Sequence, residues 1–299
     1  MKRTIKSYGF LALKGLLMGA AEAVPGVSGG TIAFVTGIYE ELIISITKIK
    51  WSLLKTLKNK GVQATWQEIN GSFFLALLAG MSVSFVTVLK TAKWLLANHP
   101  ILIWSFFFGL ILGSTFLVGR SLKKWRLSSI ITLLFGICLA FILTNLPAGS
   151  QDLPEWFLFV AGAIAICAMI LPGISGAYLL VLMGAYDELG QAVEDLDFKK
   201  ILLFGAGIIV GILSFSRLLK WLFTHYRTFV LALLTGFIFG SLYKIWPWKI
   251  PSINSSWVTD QAVWPSSYPA EAHGLEALFW MIIGLGIIIA LDKVQTENL

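Results

Sequence analysis

The chain has 299 residues, 57% of them hydrophobic and only 13% charged, and its mean hydropathy is +0.81. Soluble domains are nearer a quarter charged, so this composition excludes a soluble enzyme, a disordered chain and a β-barrel of weakly alternating strands, and points to an all-α polytopic membrane protein. The net charge of +7, from 23 Lys and Arg against 16 Asp and Glu, reads as the basic bias of cytoplasmic loops rather than as a nucleic-acid surface.

Lys2, Arg3 and Lys6 precede the first apolar stretch, and Ala21-Glu22-Ala23 has the small-x-small form of a signal cleavage site. Lys14 interrupts that stretch, and hydrophobic sequence resumes after Pro25, so the start reads as mature structure. The first element runs from about Gly9 to Ile46 and is broken at Pro25-Gly26. The charge pattern fits either a re-entrant hairpin of half-helices or two full spans, and about 15 apolar residues before the break, too few to span a bilayer, favour the hairpin. A basic linker follows, roughly Lys48 to Asn70, then three spans at about Ser72–Leu89, Ile101–Gly119 and Ser128–Asn145. A second broken element covers about Glu155–Gly190, and three more spans follow at about Ile201–Leu219, Thr228–Leu242 and Leu275–Leu291.

The two series are related. Pro25–Leu42 reads PGVSGGTIAFVTGIYEEL and Pro172–Leu189 reads PGISGAYLLVLMGAYDEL, with eight identities in 18 columns at an offset of 147. Downstream the offset becomes 127: Lys90, Lys93 and Trp94 fall on Arg217, Lys220 and Trp221, and Gly109, Gly113 and Ser114 on Gly236, Gly240 and Ser241. The expected organisation is therefore two repeats, 1–148 and 149–299, in one integrated membrane domain. The basic amino terminus, the linker with Lys48, Lys50, Lys55, Lys58 and Lys60, the loop Arg120–Arg126, and Arg217, Lys220 and Arg227 are expected inside. The acidic loop with Asp152 and Glu155, the group Glu194, Asp195 and Asp197, and the Trp-rich loop Lys244–Gly274 are expected outside. Three spans per half is an odd number, so the repeats should be inverted, with both termini cytoplasmic, a transporter plan.

The tips carry the chemistry. Pro-Gly ends the incoming half-helix, Ser28 or Ser175 caps the outgoing one, and glycines allow close backbone approach. Free N–H groups and the positive dipole end suit an anion such as phosphate. The candidate phosphate-binding residues are Pro25, Gly26, Ser28, Gly29, Gly30 and Thr31 in the first tip, and Pro172, Gly173, Ser175 and Gly176 in the second. Glu22 lies inside apolar sequence, opposite Met169 in the other half. An intramembrane carboxylate is by default functional, and Glu22 is the candidate to carry a coupling H+ or hold Na+, unless it pairs with Lys14. Glu40, Glu41, Asp187 and Glu188 end the returning arms and are gating candidates; Lys90 and Arg217 are candidate headgroup guides at the interface. Cys138 and Cys167 lie in apolar runs and the three histidines are scattered, so neither a disulfide framework nor a metal site is expected. No nucleotide-binding loop and no cofactor motif is present in the sequence.

The two tips, together with Ser214–Trp221 (SFSRLLKW) and Gly236–Trp248 (GFIFGSLYKIWPW), resemble the bacterial polyprenyl-phosphate transporter family across essentially the whole chain. The resemblance implies a multi-pass protein of the cytoplasmic membrane that returns undecaprenyl phosphate from the outer to the inner leaflet for cell-envelope synthesis such as peptidoglycan. Its partners would be that lipid and the surrounding membrane lipids, and it would not be an enzyme. Two alternatives stand beside it. Membrane undecaprenyl-diphosphate phosphatases have similar tips that read Pro-Gly-x-Ser-Arg-Ser, but the arginine column here holds Gly29 and Gly176, which removes the main electrostatic aid to phosphoryl transfer. A small-solute or ion transporter would use the buried Glu22 equally well. The sequence leaves the coupling ion and the oligomeric state open.

Overall fold

The computed structural model describes residues 4–22, 27–120, 122, 125–146, 149, 153–251 and 260–297. Lys2, Arg3, Lys123, Lys124 and Asp152, which enter the charge reading, lie outside the described residues, as does Ala23.

The chain is helical nearly throughout. It begins with α1 (Ile5–Glu22), α2 (Gly29–Val35) and α3 (Tyr39–Thr47). α2 and α3 meet at 111°, so the arm that returns from the first tip is itself broken. The break follows from local chemistry: the Thr36 hydroxyl donates to the Ile32 carbonyl at 2.7 Å, and Gly37 takes the left-handed conformation, φ +70°, in which helices end. The basic linker is largely a helix, α4 (Ser52–Glu68), with a kink at Gly61 and no buried residue. Exposed Trp51, Leu54, Leu57 and Trp66 alternate there with Lys55, Lys58 and Lys60, a composition suited to the membrane–water interface.

Next come α5 (Gly71–Asn98), α6 (Pro100–Arg120) and α7 (Leu127–Asn145). The second series is α8 (Phe157–Ile170), α9 (Gly176–Leu182), α10 (Ala185–Glu194), α11 (Phe198–Ser241) and α12 (Gly274–Glu297). The spans expected at 201–219 and 228–242 are two arms of α11, separated only by Tyr226 at φ −130°, ψ 34°. Among the described residues, α6, α7, α11 and α12 are long and apolar enough to cross a membrane.

Packing relies on close backbone approach, as in membrane bundles. α1 lies on α5, where a Cβ at Gly15 would sit 2.2 Å from the Leu77 carbonyl oxygen. The first arm of α11 lies on α8, with Gly207 against the Phe159 carbonyl. α6 pairs with α12 through Gly109 against Met281, and α7 with the second arm of α11 through Gly236 against Leu133. Of the most apolar stretch of α6, 56% is buried, against 17% for α7, α11 and α12; α6 is central, and the others turn apolar side chains outward, which suits a lipid solvent. The loop after α11 forms a short antiparallel pair, β1 (Lys249–Pro251) and β2 (Asp260–Ala262). It is pinned by the Trp246 indole on the Val263 carbonyl and the Trp248 indole on the Ala272 carbonyl, both at 2.8 Å.

Candidate functional site

Pro25 and Gly26 lie outside the described residues, but the outgoing side of the first tip is well defined. Ser28 is the N-cap of α2 in an extended conformation, φ −116°, ψ 129°. Its hydroxyl accepts the Gly30 N–H at 3.2 Å, and its carbonyl accepts the Thr31 N–H at 3.0 Å. The remaining early donor, the Gly29 N–H, goes to Glu22 Oε1 at 2.9 Å. The donors expected to face an anion are thus already held, and one holder is the intramembrane carboxylate itself. Glu22 is therefore part of the tip. Lys14, the alternative partner, sends its ammonium to the Thr36 carbonyl at 2.6 Å.

The second tip differs. Ser175 caps α9 by accepting the Tyr178 N–H at 3.4 Å. Met169 takes the column of Glu22 and packs where a Cβ on Gly176 would lie, 2.4 Å from its Cγ. Pro172 is buried. Gly173 needs its left-handed φ of +82°, and its N–H donates to Thr31 Oγ1 at 3.0 Å. The Ser28 hydroxyl also lies 3.5 Å from the Met169 and Leu171 carbonyl oxygens. The two tips, some 140 residues apart in sequence, thus join through Thr31, Gly173 and Ser28.

Two spaces flank this junction. A cavity of about 1030 Å³ lies beyond the far end of α2, lined by Phe34, Tyr39, Glu40, Arg126, Arg227 and Asp292 among others. Seven residues of helix at 1.5 Å each put about 10 Å between that end and Ser28. On the other side a pocket of only about 20 Å³ touches Gly173, Ser175, Tyr178 and Lys244. The Lys244 ammonium sits over the Tyr178 ring, 4.8 Å from its centre, and the Tyr178 hydroxyl donates to the Thr144 carbonyl at 2.9 Å.

The other expected site residues scatter. Glu40 forms an ion pair with Arg227, 2.7 Å from Oε1 to Nη2. Glu41 accepts from Asn70 Nδ2 at 3.1 Å, and Glu188 pairs with Lys200 at 3.2 Å. Asp187 stands in the first turn of α10. Lys90 is exposed on α5. Arg217 donates to the Leu213 and Ile49 carbonyls at 2.8 and 3.1 Å, fastening α11 to the chain just after α3. Neither hydrogen-bonds to a tip among the described residues, so the two basic symmetry mates do not join the tip site. Arg227, which lines the large cavity, entered the sequence reading only as an inside charge; its signal is a lone arginine between two apolar runs. No group of three or more His, Cys, Asp or Glu side chains able to hold a metal ion occurs among the described residues.

The sequence model of the VCA0040-like family, described as undecaprenyl phosphate translocase-like, matches residues 18–262. The chain belongs to this family. A protein of Vibrio cholerae serotype O1 named polyprenyl-phosphate transporter is 42% identical over 292 residues, covering 94% of this chain and 95% of its own. One of Staphylococcus aureus with the same name is 28% identical over 304 residues, covering 96% of each. No solved structure matches. The family resemblance drawn from the tips and the segments Ser214–Trp221 and Gly236–Trp248 is thereby borne out. The translocase-like family model spans both tips, the junction between them and the residues lining the arginine-lined cavity other than Asp292.

Proposed function

We propose that the protein carries a polyprenyl monophosphate, undecaprenyl phosphate, from the outer to the inner leaflet of the bacterial cytoplasmic membrane, its phosphate passing between the two tips. The names of the relatives supply the substrate. The observation that carries the route is the junction itself: a serine-capped tip from each half, joined by the Thr31–Gly173 hydrogen bond. A lone charge crossing hydrocarbon costs many kcal/mol, and backbone donors at mid-membrane are tolerated only where protein or a cavity serves them. Two donor-rich tips in mutual contact are a gate through which a headgroup can pass while the prenyl tail stays in lipid.

An inverted arrangement of repeats 1–148 and 149–299 is part of this reading. It is supported by the parallel pairing of α1 with α5 and α8 with the first arm of α11, and of α6 with α12 and the second arm of α11 with α7. Each half then contributes a broken, re-entrant segment. The large cavity gathers Arg126, Arg227 and Asp292 from segments that the charge rule assigns to the cytoplasm, so the conformation in hand is open inward, with both termini cytoplasmic.

Glu22 supplies the coupling. Its carboxylate holds the Gly29 N–H in the position a phosphate oxygen would take. Protonation or a bound cation would release that donor to the substrate, so proton uptake and phosphate binding favour each other.

Hydrolysis is disfavoured sterically. A Cβ at Gly29 would lie 2.9 Å from Glu22 Oε1, and one at Gly176 2.6 Å from the Ala165 carbonyl oxygen. The arginine that the phosphatases carry in this column has no room in the second tip, and in the first it would have to displace the Glu22 side chain. The test uses purified protein in liposomes with fluorescent polyprenyl monophosphate or diphosphate, reading leaflet redistribution by an impermeant quencher and released phosphate in the same vesicles. Redistribution of the monophosphate without phosphate release is expected. Phosphate release from the diphosphate would replace transport with hydrolysis. No redistribution, even under an imposed proton or sodium gradient, would leave the small-solute reading.

A further inference from the structure

The large cavity beside α2 belongs to neither tip, yet its wall carries charges of both signs. Arg126 and Arg227 line it, opposed by Glu40 and Asp292. Arg227 grips Glu40 with both terminal nitrogens, at 2.7 Å to one carboxylate oxygen and 3.3 Å to the other. That fork-on-carboxylate geometry is the one arginine offers to a phosphate. Tyr39, the next residue along, also lines the cavity. Its ring is held edge-on by Phe34 and Phe223, at 5.1 and 5.9 Å, and its buried hydroxyl has no hydrogen-bond partner among the described residues. A buried, unpaired hydroxyl in a fixed ring is costly unless a ligand completes it. The rest of the wall includes Leu117 and Val118, which suits an apolar chain next to an anion.

We propose that this cavity is a second phosphate seat, on the cytoplasmic side. There the phosphate monoester displaces Glu40 from Arg227 and takes Arg126 as a second cation and the Tyr39 hydroxyl as a donor. Glu40 holds the anion position while the seat is empty. The displacement also has a mechanical consequence. Glu40 opens α3 directly after the 111° bend, and Arg227 follows the break in α11 at Tyr226. Their ion pair ties the two broken elements together, and a phosphate on Arg227 unties them. Arrival of the headgroup on the inner side thereby frees the arm that returns from the first tip. The proposal rests on the transport reading above and adds to it a site for release.

The test measures binding of a short-chain polyprenyl monophosphate and, separately, of inorganic phosphate to the full chain in nanodiscs. Wild type is compared with Arg227→Gln, Arg227→Lys, Glu40→Gln and Tyr39→Phe, each checked for an unchanged melting temperature. Arg227→Gln should weaken lipid-phosphate binding at least tenfold and Arg227→Lys less. Tyr39→Phe should weaken it about threefold. Glu40→Gln should tighten it about threefold, because a competitor is removed; a merely structural ion pair would make Glu40→Gln and Arg227→Gln behave alike. The lipid should bind at least tenfold more tightly than inorganic phosphate; equal affinities would assign the seat to free phosphate and overturn the lipid claim. Wild-type affinity in Arg227→Gln, or weakening in Glu40→Gln, overturns the seat. Should Arg227→Gln fail to fold, the sign of the Glu40→Gln effect decides alone. If wild type moves the lipid between leaflets while Arg227→Gln binds and transports normally, only this inference fails. If wild type moves no lipid, the transport reading fails first.

Discussion

The two tips share a motif and differ in what holds it. In the first, the opening donors of α2 are taken by Ser28 and by the carboxylate of Glu22. In the second, Met169 stands in the glutamate's column, and Ser175 caps α9 through the Tyr178 N–H. The surroundings differ in the same sense, with about 1030 Å³ of open space beyond the first tip's outgoing helix and about 20 Å³ beside the second tip. A duplicated scaffold thus supplies the junction, and the proposed direction and coupling of transport rest on residues that have no like counterpart in the other half. On the proposed route, symmetry lets a headgroup be handed between halves, and the residues without a like counterpart, Glu22 against Met169 and Arg227 against Pro100, are where that symmetry is breached.

The comparison can be broken most severely at the junction. Gly173→Ala puts a Cβ on a left-handed residue, 2.6 Å from the Phe237 carbonyl oxygen. Strain and overpacking together should remove about 3 kcal/mol or more, seen as a large fall in melting temperature and little purified protein. Thr31→Val leaves the buried Gly173 N–H unpaired and should cost about 1–3 kcal/mol, read as a moderate fall in melting temperature. Glu22→Gln sharpens the contrast between tips. If protonated Glu22 yields its donor to phosphate, wild-type transport falls as pH rises, whereas Glu22→Gln loses most of that dependence; an unchanged pH profile removes Glu22 from proton coupling. Met169→Glu should not restore coupling to Glu22→Gln, since the second tip faces a different environment. The smallest effect is expected at Lys90, which is exposed on α5. Lys90→Ala should change transport less than twofold, as measured by the quencher assay.

Repetition made the tips readable in advance. Pro-Gly-x-Ser-Gly in both halves marked where the helices break and which serine caps, and both caps stand where the motif placed them. Attention to repetition favours cations that come as mates, such as Lys90 and Arg217, the latter donating to the Leu213 and Ile49 carbonyls among the described residues. Arg227 falls on Pro100 at the downstream offset of 127 and has no basic counterpart, so a search for pairs passes over it. The hydrogen bond from Gly29 to Glu22 was hidden for another reason. It joins residues seven apart in sequence, a spacing that no periodicity encodes. The helical linker α4 was concealed because its lysines and tryptophans follow an interfacial pattern, with neither a buried stripe nor a span. Arg217, Lys220 and Arg227 look like a loop when hydropathy alone is read, whereas the two arms of α11 meet directly at a kink at Tyr226.

The central claim is that the headgroup passes between the tips. The most direct measurement bridges them with a short bifunctional thiol reagent in a Ser28→Cys/Leu171→Cys protein whose native Cys138 and Cys167 have been changed to alanine. The Ser28 hydroxyl and the Leu171 carbonyl are 3.5 Å apart, so the two sites lie within reach. Cleavably bridged protein should stop moving polyprenyl monophosphate between leaflets and recover when the bridge is cut. Undiminished movement with the tips bridged would contradict the account and place the lipid's path elsewhere.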